Sequence, residues 1–361
     1  MSTLTTNYLA PSGREEAWRF TPLSRLGGLL DASVNLESAN TISLVKNIEG
    51  LKFSIKSAED LPAISVSDDS ATIRAREFIT QVTHIEVAKD ANLSEPILLE
   101  RTSLNGNPQA SRTLISAGVN SHATIILQNT GNAILADEIE FDVAPGSNLT
   151  FVSLQEWDAK TVHLGRQHAV VSKDAEFNSI VVTVGGSLVR LLPTVEYSGP
   201  GSSADLQGLY FATDGQHLEH RLFVNHNVPN AKSRVNYKGA LAGDKAHTVW
   251  IGDVYIRANA EGTDTYELNR NLLLSDGARA DSVPNLEIET GEIVGAGHAS
   301  TTGRFDDEQL FYLSSRGIPA EIARRLVVRG FFAEIVGKIK NEEIENRLMD
   351  RIDAELAKVG A

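Results

Sequence analysis

Residues 138–154 read EIEFDVAPGSNLTFVSL, two short runs joined by a turn at Pro145 and Gly146. Apolar side chains alternate with polar ones in each run, which is the pattern of a half-buried β-strand. Similar runs recur from about Gln81 to Thr302, among them THIEVA, ATIILQN, EFNSIVVTV, HTVWIGDVYI and NLEIETGEIV. The central part of the chain is therefore predicted to consist of short strands.

One type of turn repeats between these strands, with a small residue at its centre. The central residues are separated by 25, 27, 29, 27 and 29 positions and are Ala123, Asn148, Ala175, Ala204, Ala231 and Ala260. Such a period is typical of stacked coils, because each coil buries its apolar side chains only against its neighbours. The spacing favours a mainly β fold with a β-solenoid over residues 81–303. A β-sandwich with coincidental turn spacing is the alternative.

The first 80 residues have a mixed, partly helical character. A helix is predicted from about Ser12, whose hydroxyl can cap it, through Leu26. Gly27 and Gly28 follow and weaken the helical pattern. We therefore expect a mixed N-terminal region over residues 1–80.

Residues 304–361 form a helical C-terminal region by the same criteria. The acidic residues 306–308 suit a helix start, Gly317 suits its end, and Pro319 suits the start of a second helix. Apolar residues at steps of four predict a last amphipathic helix over residues 341–358. This region holds 10 basic and 11 acidic residues, so it is nearly neutral, and the remainder carries the other -13 of the net charge of -14.

The second tail helix has two apolar faces. The first face comprises Val328, Phe332, Ile335, Val336 and Ile339, and the second comprises Ile322, Ala323, Leu326, Val327 and Phe331. Two apolar faces need two packing partners. One face can pack on the rest of the tail, and the other must meet the solenoid or a second protein. Complete burial within its own domain is the alternative.

Composition excludes several classes of function. The net charge of -14 argues against nucleic-acid binding, because such proteins need clustered Lys and Arg. The chain has no cysteine, its start lacks a secretory core, and its apolar runs are too short to span a bilayer. We therefore expect a cytoplasmic protein with no membrane segment. Phosphate-loop, GxGxxG, GxSxG and HExxH motifs are missing as well, so no nucleotide site is predicted.

A carbohydrate-cleaving enzyme is the catalytic alternative, because β-solenoids can host such sites. Its paired carboxylates would be Asp306 and Asp307. A helix start is the simpler interpretation of these two aspartates.

Histidines are the main candidates for chemistry. His217, His220 and His226 cluster in one segment, but strand geometry turns ligands three apart to opposite sides and separates His220 from His226 by about 20 Å. A local metal site is therefore not expected there. His298 lies in GAGHAS, whose small residues leave the imidazole unshielded, and we expect it on a surface loop.

Several segments resemble the SufB/SufD family of iron-sulphur cluster assembly proteins. They are LNRNLLLSDGARADSVPNLEIETGEIVGAGHASTTGRFDDEQLFYLSSRGIP, EIARRLVVRGFF, HLEHRLFVNHNVPNAKSRVNYKGAL and EEAWRFTPL. The resemblance implies a right-handed parallel β-helix flanked by helical N- and C-terminal regions, in agreement with the strand and turn pattern. Within the family the chain is similar to the SufD branch, because the cysteines thought to hold the nascent cluster in SufB have no counterpart here.

The resemblance also implies partners and a site. It implies a non-catalytic subunit that assembles with SufB and with SufC, an ABC-type ATPase. His298, in IVGAGHAST, matches the family's histidine in KCSHGATVG at the SufB interface, and Ala296 replaces the cysteine of that motif. His298 is therefore the expected metal ligand, toward iron or a cluster shared with SufB. No cofactor is expected to bind this chain stably by itself.

The C-terminal helices are where the resemblance places SufC. Phe331 and Phe332 are the expected aromatic anchors, and Arg324, Arg325 and Arg329 are expected to pair with an acidic rim. Delivery of iron, stabilisation of the complex and flavin binding stay open as roles. A homodimer of the isolated chain through its edge strands also stays open.

Overall fold

The computed structural model describes residues 8–102, 104–305 and 307–358. Asp306, expected at the start of the first tail helix, lies outside the described residues. Four α-helices are described: α1 (Ser70–Phe78), α2 (Asp307–Ser315), α3 (Ala320–Val336) and α4 (Glu342–Lys358). The described strands are β1 (Glu37–Ser38), β2 (Ser43–Leu44), β3 (Leu51–Ser57), β4 (Gln81–Val87), β5 (Ile97–Arg101), β6 (Pro108–Ala117), β7 (His122–Gly131), β8 (Ile134–Val143), β9 (Asn148–Trp157), β10 (Val162–Val171), β11 (Glu176–Thr183), β12 (Leu188–Tyr197), β13 (Ser203–Ala212), β14 (His217–His226), β15 (Lys232–Leu241), β16 (His247–Ile256), β17 (Asp264–Leu273), β18 (Arg279–Ile288) and β19 (Gly295–Arg304).

Consecutive strands lie in two different sheets. One sheet has the order β18-β16-β14-β12-β10-β8-β6-β4-β3, and the other has the order β19-β17-β15-β13-β11-β9-β7-β5-β2. From β4 to β17, each strand is thus hydrogen-bonded to the strand that comes two places later in the chain. These pairs are parallel. The chain therefore winds as a β-solenoid of about eight turns, which confirms the predicted mainly β fold.

The recurring small residues mark one corner of this solenoid. Ala123, Asn148 and Ala204 are the first or second residues of β7, β9 and β13. The remaining three, Ala175, Ala231 and Ala260, come shortly before β11, β15 and β17. Their alanine methyl groups are buried, so the corner is tight and tolerates little side-chain volume. The period read from the turns is confirmed as the length of one coil.

The interior between the two sheets is filled by stacked apolar side chains. The rings of Phe141, Phe151 and Phe177 show the principle, because the centroid of Phe141 lies 4.7 Å from Phe151 and 4.9 Å from Phe177. All three side chains are buried. Each coil supplies one layer of this core, so its stability depends on the coils above and below.

The N-terminal region covers the outer face of the first sheet. The continuous helix expected from Ser12 is wrong: the structure has 3-10 turns at Glu16–Trp18 and Leu23–Arg25. Pro22, which lacks an N–H, separates the two turns, and the Ser12 hydroxyl donates to the Glu15 carboxylate. Apolar side chains of this region pack with residues of the sheet that face outward. They are Trp18, Leu26 and Leu29, together with Ala71 and Ala75 of α1.

The C-terminal helices cover the outer face of the second sheet. Gly317, with φ +84°, separates α2 from α3, and Pro319 precedes α3, as predicted. One apolar face of α3 and the stripe of α4 pack in a single core with Val152, Leu154 and Phe211 of the sheet. No helix in the described ranges combines the length and the apolarity that a membrane crossing would require.

Two leucines of the tail test how much this packing contributes. Leu348 of α4 is fully buried, whereas Leu326 of α3 is 48% exposed. We expect Leu348→Ala to lower the free energy of unfolding by about 2–5 kcal/mol, because it leaves a cavity between the tail and the sheet. Leu326→Ala should change it by less than about 1 kcal/mol. Urea unfolding monitors both, and equal losses would contradict the packing described.

Candidate functional site at the open end of the solenoid

The last coil ends in two strands that are paired on one side only. In the described residues, β18 pairs with β16 and β19 pairs with β17, and each then forms the edge of its sheet. Their residues are mostly half-buried or exposed, unlike those of the preceding coils. A free strand edge can hydrogen-bond to a strand of another chain. We call this region, formed by β18 and β19, the open end.

His298 lies on this edge. It belongs to β19, so the expectation of a surface loop is wrong. The expectation that NLEIETGEIV forms one strand is also wrong, because β18 stops at Ile288 and a turn follows. Its exposure is confirmed, since the neighbouring Gly297 and Ala299 shield little of the imidazole. His298 is the register partner of Glu267 in β17.

Glu267 is a second polar residue of the open end, and sequence reasoning missed it. Its side chain is 1% exposed, and among the described residues neither carboxylate oxygen has a hydrogen-bond partner. Burial, with a smaller contribution from the charge of Asp253, raises the pKa of Glu267 to about 8. A signal was present in the sequence: Thr265, Glu267, Asn269 and Asn271 alternate along β17 where earlier strands carry apolar residues.

Polar side chains occupy part of the solenoid interior near the open end, as Asp137 and His163 do in earlier coils. The Tyr210 hydroxyl donates to Asn271 Oδ1 at 2.8 Å and accepts from Asn269 Nδ2 at 2.9 Å. Asn271 Nδ2 also donates to Ser282 Oγ of the opposite sheet at 2.9 Å. These bonds tie the last coils together by directional contacts where the middle of the solenoid uses aromatic packing.

A cavity of about 780 Å³ opens beside His298. Both charged and apolar residues line it, including Arg221, Asp253, Pro284 and Leu286. Asn285 Nδ2 donates to Asp253 Oδ1 at 2.6 Å, and burial raises the pKa of the Asp253 carboxyl. His298 therefore faces a space that a partner or a ligand can enter.

The three clustered histidines diverge, as strand parity predicts. His217 lies 3.0 Å from the Glu219 carboxylate on the outer face of its sheet, while the rings of His220 and His226 face inward and contact Tyr210 and Tyr197. Burial lowers the pKa of His220 to about 3 and that of His226 to about 4. Within the described ranges, no three His, Asp or Glu side chains come together as metal ligands.

The predicted partner-binding residues of α3 have different surroundings. Phe332 is 0% exposed, so it belongs to the core between the tail and the sheet and offers no surface to a partner. Phe331 is half-buried, with its ring centroid 5.4 Å from Lys238 Nζ. Arg329 pairs with Asp353 at 2.7 Å and Arg325 with Glu321, while Arg324 lines a cavity of about 240 Å³ between the tail and the solenoid.

Other apolar side chains of the hairpin are exposed. Phe311 and Tyr312 of α2 are 74% and 57% exposed, and Ile322 of α3 is exposed together with Leu326. We call these four residues the hairpin surface. They include two residues of the second apolar face predicted for α3, whose first face is buried against the solenoid.

Parallel strands stacked in coils, with helices on the outer faces, place the chain in the class of β-solenoid proteins. The family model for the SUF system FeS cluster assembly, SufBD core domain, matches residues 100–331. The chain belongs to this SufBD family of iron-sulfur cluster assembly proteins.

Known relatives agree with this family. An iron-sulfur cluster assembly SufBD family protein of Mycobacterium tuberculosis is 48% identical over 96% of this chain and 89% of its own length. Iron-sulfur cluster assembly protein SufD of Escherichia coli is 24% identical over the same shares of the two chains. Protein ABCI7, chloroplastic, of Arabidopsis thaliana is 27% identical over 59% of this chain and 45% of its own length.

Glu219 gives a pH test of the contact between the N-terminal region and the first sheet. Burial by itself would raise its pKa, but the hydrogen bond with His217 and the charge of Arg190 hold the pKa at about 2, and Thr21 donates to it at 2.7 Å. Because this pKa is depressed below the ordinary 4.5, its contribution is present above pH 4.5 and is lost as the pH falls toward 2.

We therefore expect the free energy of unfolding to fall less steeply in Glu219→Gln than in the wild type between pH 4.5 and pH 2. The loss over this window should be smaller by about 3 kcal/mol in the variant. Chemical denaturation at a series of pH values measures the slope. The exposed Glu261→Gln is the control for the loss of one carboxylate and should keep the wild-type slope. An unchanged slope for Glu219→Gln would contradict the pairing.

Proposed function

We propose that this chain is a non-catalytic, SufD-type subunit of a cytoplasmic iron-sulphur cluster assembly complex. In this proposal it pairs with SufB through the open end, and the solenoid coils right-handedly as the family resemblance implies. Similarity to the E. coli SufD over 96% of the chain supports the assignment. The lack of cysteine supports it as well, because a chain without thiolates is poorly suited to holding a cluster by itself.

His298 is the proposed chemical contribution of the chain. The single observation that carries this is the exposed imidazole on a strand whose outer edge pairs with no other described strand. A partner strand added at that edge would bring its own side chains next to His298. The imidazole then lends a nitrogen ligand to an iron ion or nascent cluster, which is the substrate of the assembly and not a resident cofactor of this chain.

The hairpin surface is the proposed docking site for SufC. One face of α3 is committed to the solenoid, so the apolar residues that remain exposed on α2 and α3 need another partner. The near neutrality of residues 304–361, compared with the -13 of the remainder, makes this the least repulsive surface for an acidic partner.

The two surfaces suggest a mechanical coupling. Closure of two SufC subunits on ATP, one on SufB and one on this chain, would pull on the hairpin. The hairpin is continuous with α3, which is packed on the second sheet, and that sheet ends in β19 with His298. A stack of hydrogen-bonded coils transmits such a force with little internal deformation.

Anaerobic co-expression with SufB and SufC of the same organism, followed by native mass spectrometry, tests the assembly. A complex of one SufB, two SufC and one copy of this chain is expected. A well-folded chain that binds neither protein, or that forms only a homodimer in their presence, would overturn the proposal.

Leu326→Glu tests the hairpin surface. A buried carboxylate at the contact should weaken SufC binding by tenfold or more, because a charge without a partner is costly to desolvate. Calorimetric titration measures the affinity. Val45→Glu, at an exposed valine near the other end of the solenoid, is the matched control and should bind SufC as the wild type does. Equal affinities for both variants would place the docking site elsewhere.

His298→Ala tests the chemical role. The assembled complex should still form, because one side chain is a small part of a strand-edge contact, but the rate of cluster formation should fall severalfold or more. Absorbance of the cluster during anaerobic reconstitution measures the rate. Cluster formation at the wild-type rate would rule out a role for this imidazole.

A further inference from the structure

Glu267 stands apart from the other buried carboxylates of the chain. Within the described ranges, five buried acidic residues lie next to arginine: Asp69 and Glu219 beside Arg190, Asp137 beside Arg101, Glu138 beside Arg76, and Glu140 beside Arg112. Glu267 is as buried as they are, but no cation and no hydrogen-bond donor of the described residues satisfies its two oxygens. A buried carboxyl group without such a partner is costly and calls for an explanation.

Its position in the fold supplies one. Glu267 and His298 are register partners on parallel neighbouring strands, so their side chains leave the same face of the sheet, from backbones about 4.8 Å apart. An imidazole nitrogen and a carboxylate oxygen at that spacing can bind one metal ion with bonds of about 2.0–2.2 Å. Within the described part of the chain, the one buried carboxylate without a partner is thus the neighbour of the exposed histidine.

The opposite sheet leaves room for the carboxylate. A Cβ atom on Gly252 would come within 2.7 Å of Glu267 Oε1, so the oxygen occupies the space that a side chain at this position would fill. Gly252 is the register partner of Pro284, which lines the cavity beside His298. The Glu267 carboxylate thus lies inside the solenoid against Gly252, and the two residues that follow Gly252, Asp253 and Val254, also line the cavity.

We propose that Glu267 and His298 are this chain's two ligands for a divalent transition-metal ion, such as ferrous iron, and that the partner chain or solvent completes its coordination. This inference rests on the proposed function, because it makes the open end the place where iron is handled. Nitrogen and carboxylate ligands together suit ferrous iron, and two ligands by themselves give a weak site that is filled on assembly. Imidazole alone would not explain the buried carboxylate.

Binding of Co²⁺, an air-stable substitute for ferrous iron, tests the proposal. Calorimetry and visible absorption are measured on the full chain alone and on its complex with SufB and SufC. The variants are Glu267→Gln, which keeps the shape of the side chain, and His298→Ala, which changes an exposed residue and leaves the core intact. Glu292→Gln removes an exposed carboxylate of the turn before β19 and is the matched control.

We expect Glu267→Gln and His298→Ala each to weaken Co²⁺ binding by at least tenfold and to alter its absorption spectrum, while Glu292→Gln binds as the wild type does. Co²⁺ should also raise the melting temperature of the wild type but not that of Glu267→Gln. Wild-type affinity in Glu267→Gln, or no Co²⁺ binding in either preparation, would overturn the proposal. Native mass spectra of the same samples report assembly separately. If the complex is intact and Glu267→Gln binds Co²⁺ as the wild type does, this inference is refuted and the proposed function still stands.

Discussion

Parallel hydrogen bonding between one coil and the next is the interaction on which the rest of this structure depends. Every strand from β6 to β17 bonds to the strands one coil below and one coil above it, in the same direction and nearly the same register. Like positions therefore stack in columns through the protein. One interior column runs through Leu206, Val235, Glu267 and His298, so it changes from apolar to polar at the last two coils.

The terminal regions solve a second problem, because the outer faces of both sheets are also partly apolar. The tail covers one face with helices. The N-terminal region covers the other with less regular structure, held by charge: Arg76 of α1 forms two hydrogen bonds to Glu138, which also pairs with Arg166. Such buried pairs specify the position of a segment, since removing one partner leaves a costly unpaired charge.

The sequence predicts this fold well where one pattern dominates. Alternation and the period of the turns suffice for the solenoid, and apolar steps of four suffice for α4, because both patterns reflect a single buried face. The region before Leu26 was predicted less well, since a good cap at Ser12 says nothing of the break that Pro22 introduces. Phe332 shows the same limit: periodicity separates the two faces of α3 but does not tell which face the solenoid covers. Polar alternation marks Glu267 in the sequence, but only the strand register places it beside His298.

The two ends of the solenoid differ in a way that limits the size of any assembly. At the far end the first sheet finishes in β3, a short antiparallel strand whose Lys52 and Lys56 discourage further pairing, and the N-terminal region lies nearby. Within the described residues, the other end is formed by β18 and β19, and neither of these edge strands carries a lysine. If two chains pair through this edge, like end joins like end, and the result is a closed pair with approximate twofold symmetry. Such a pair would cover both of its free edges, whereas an amyloid fibre keeps an edge open for each further chain.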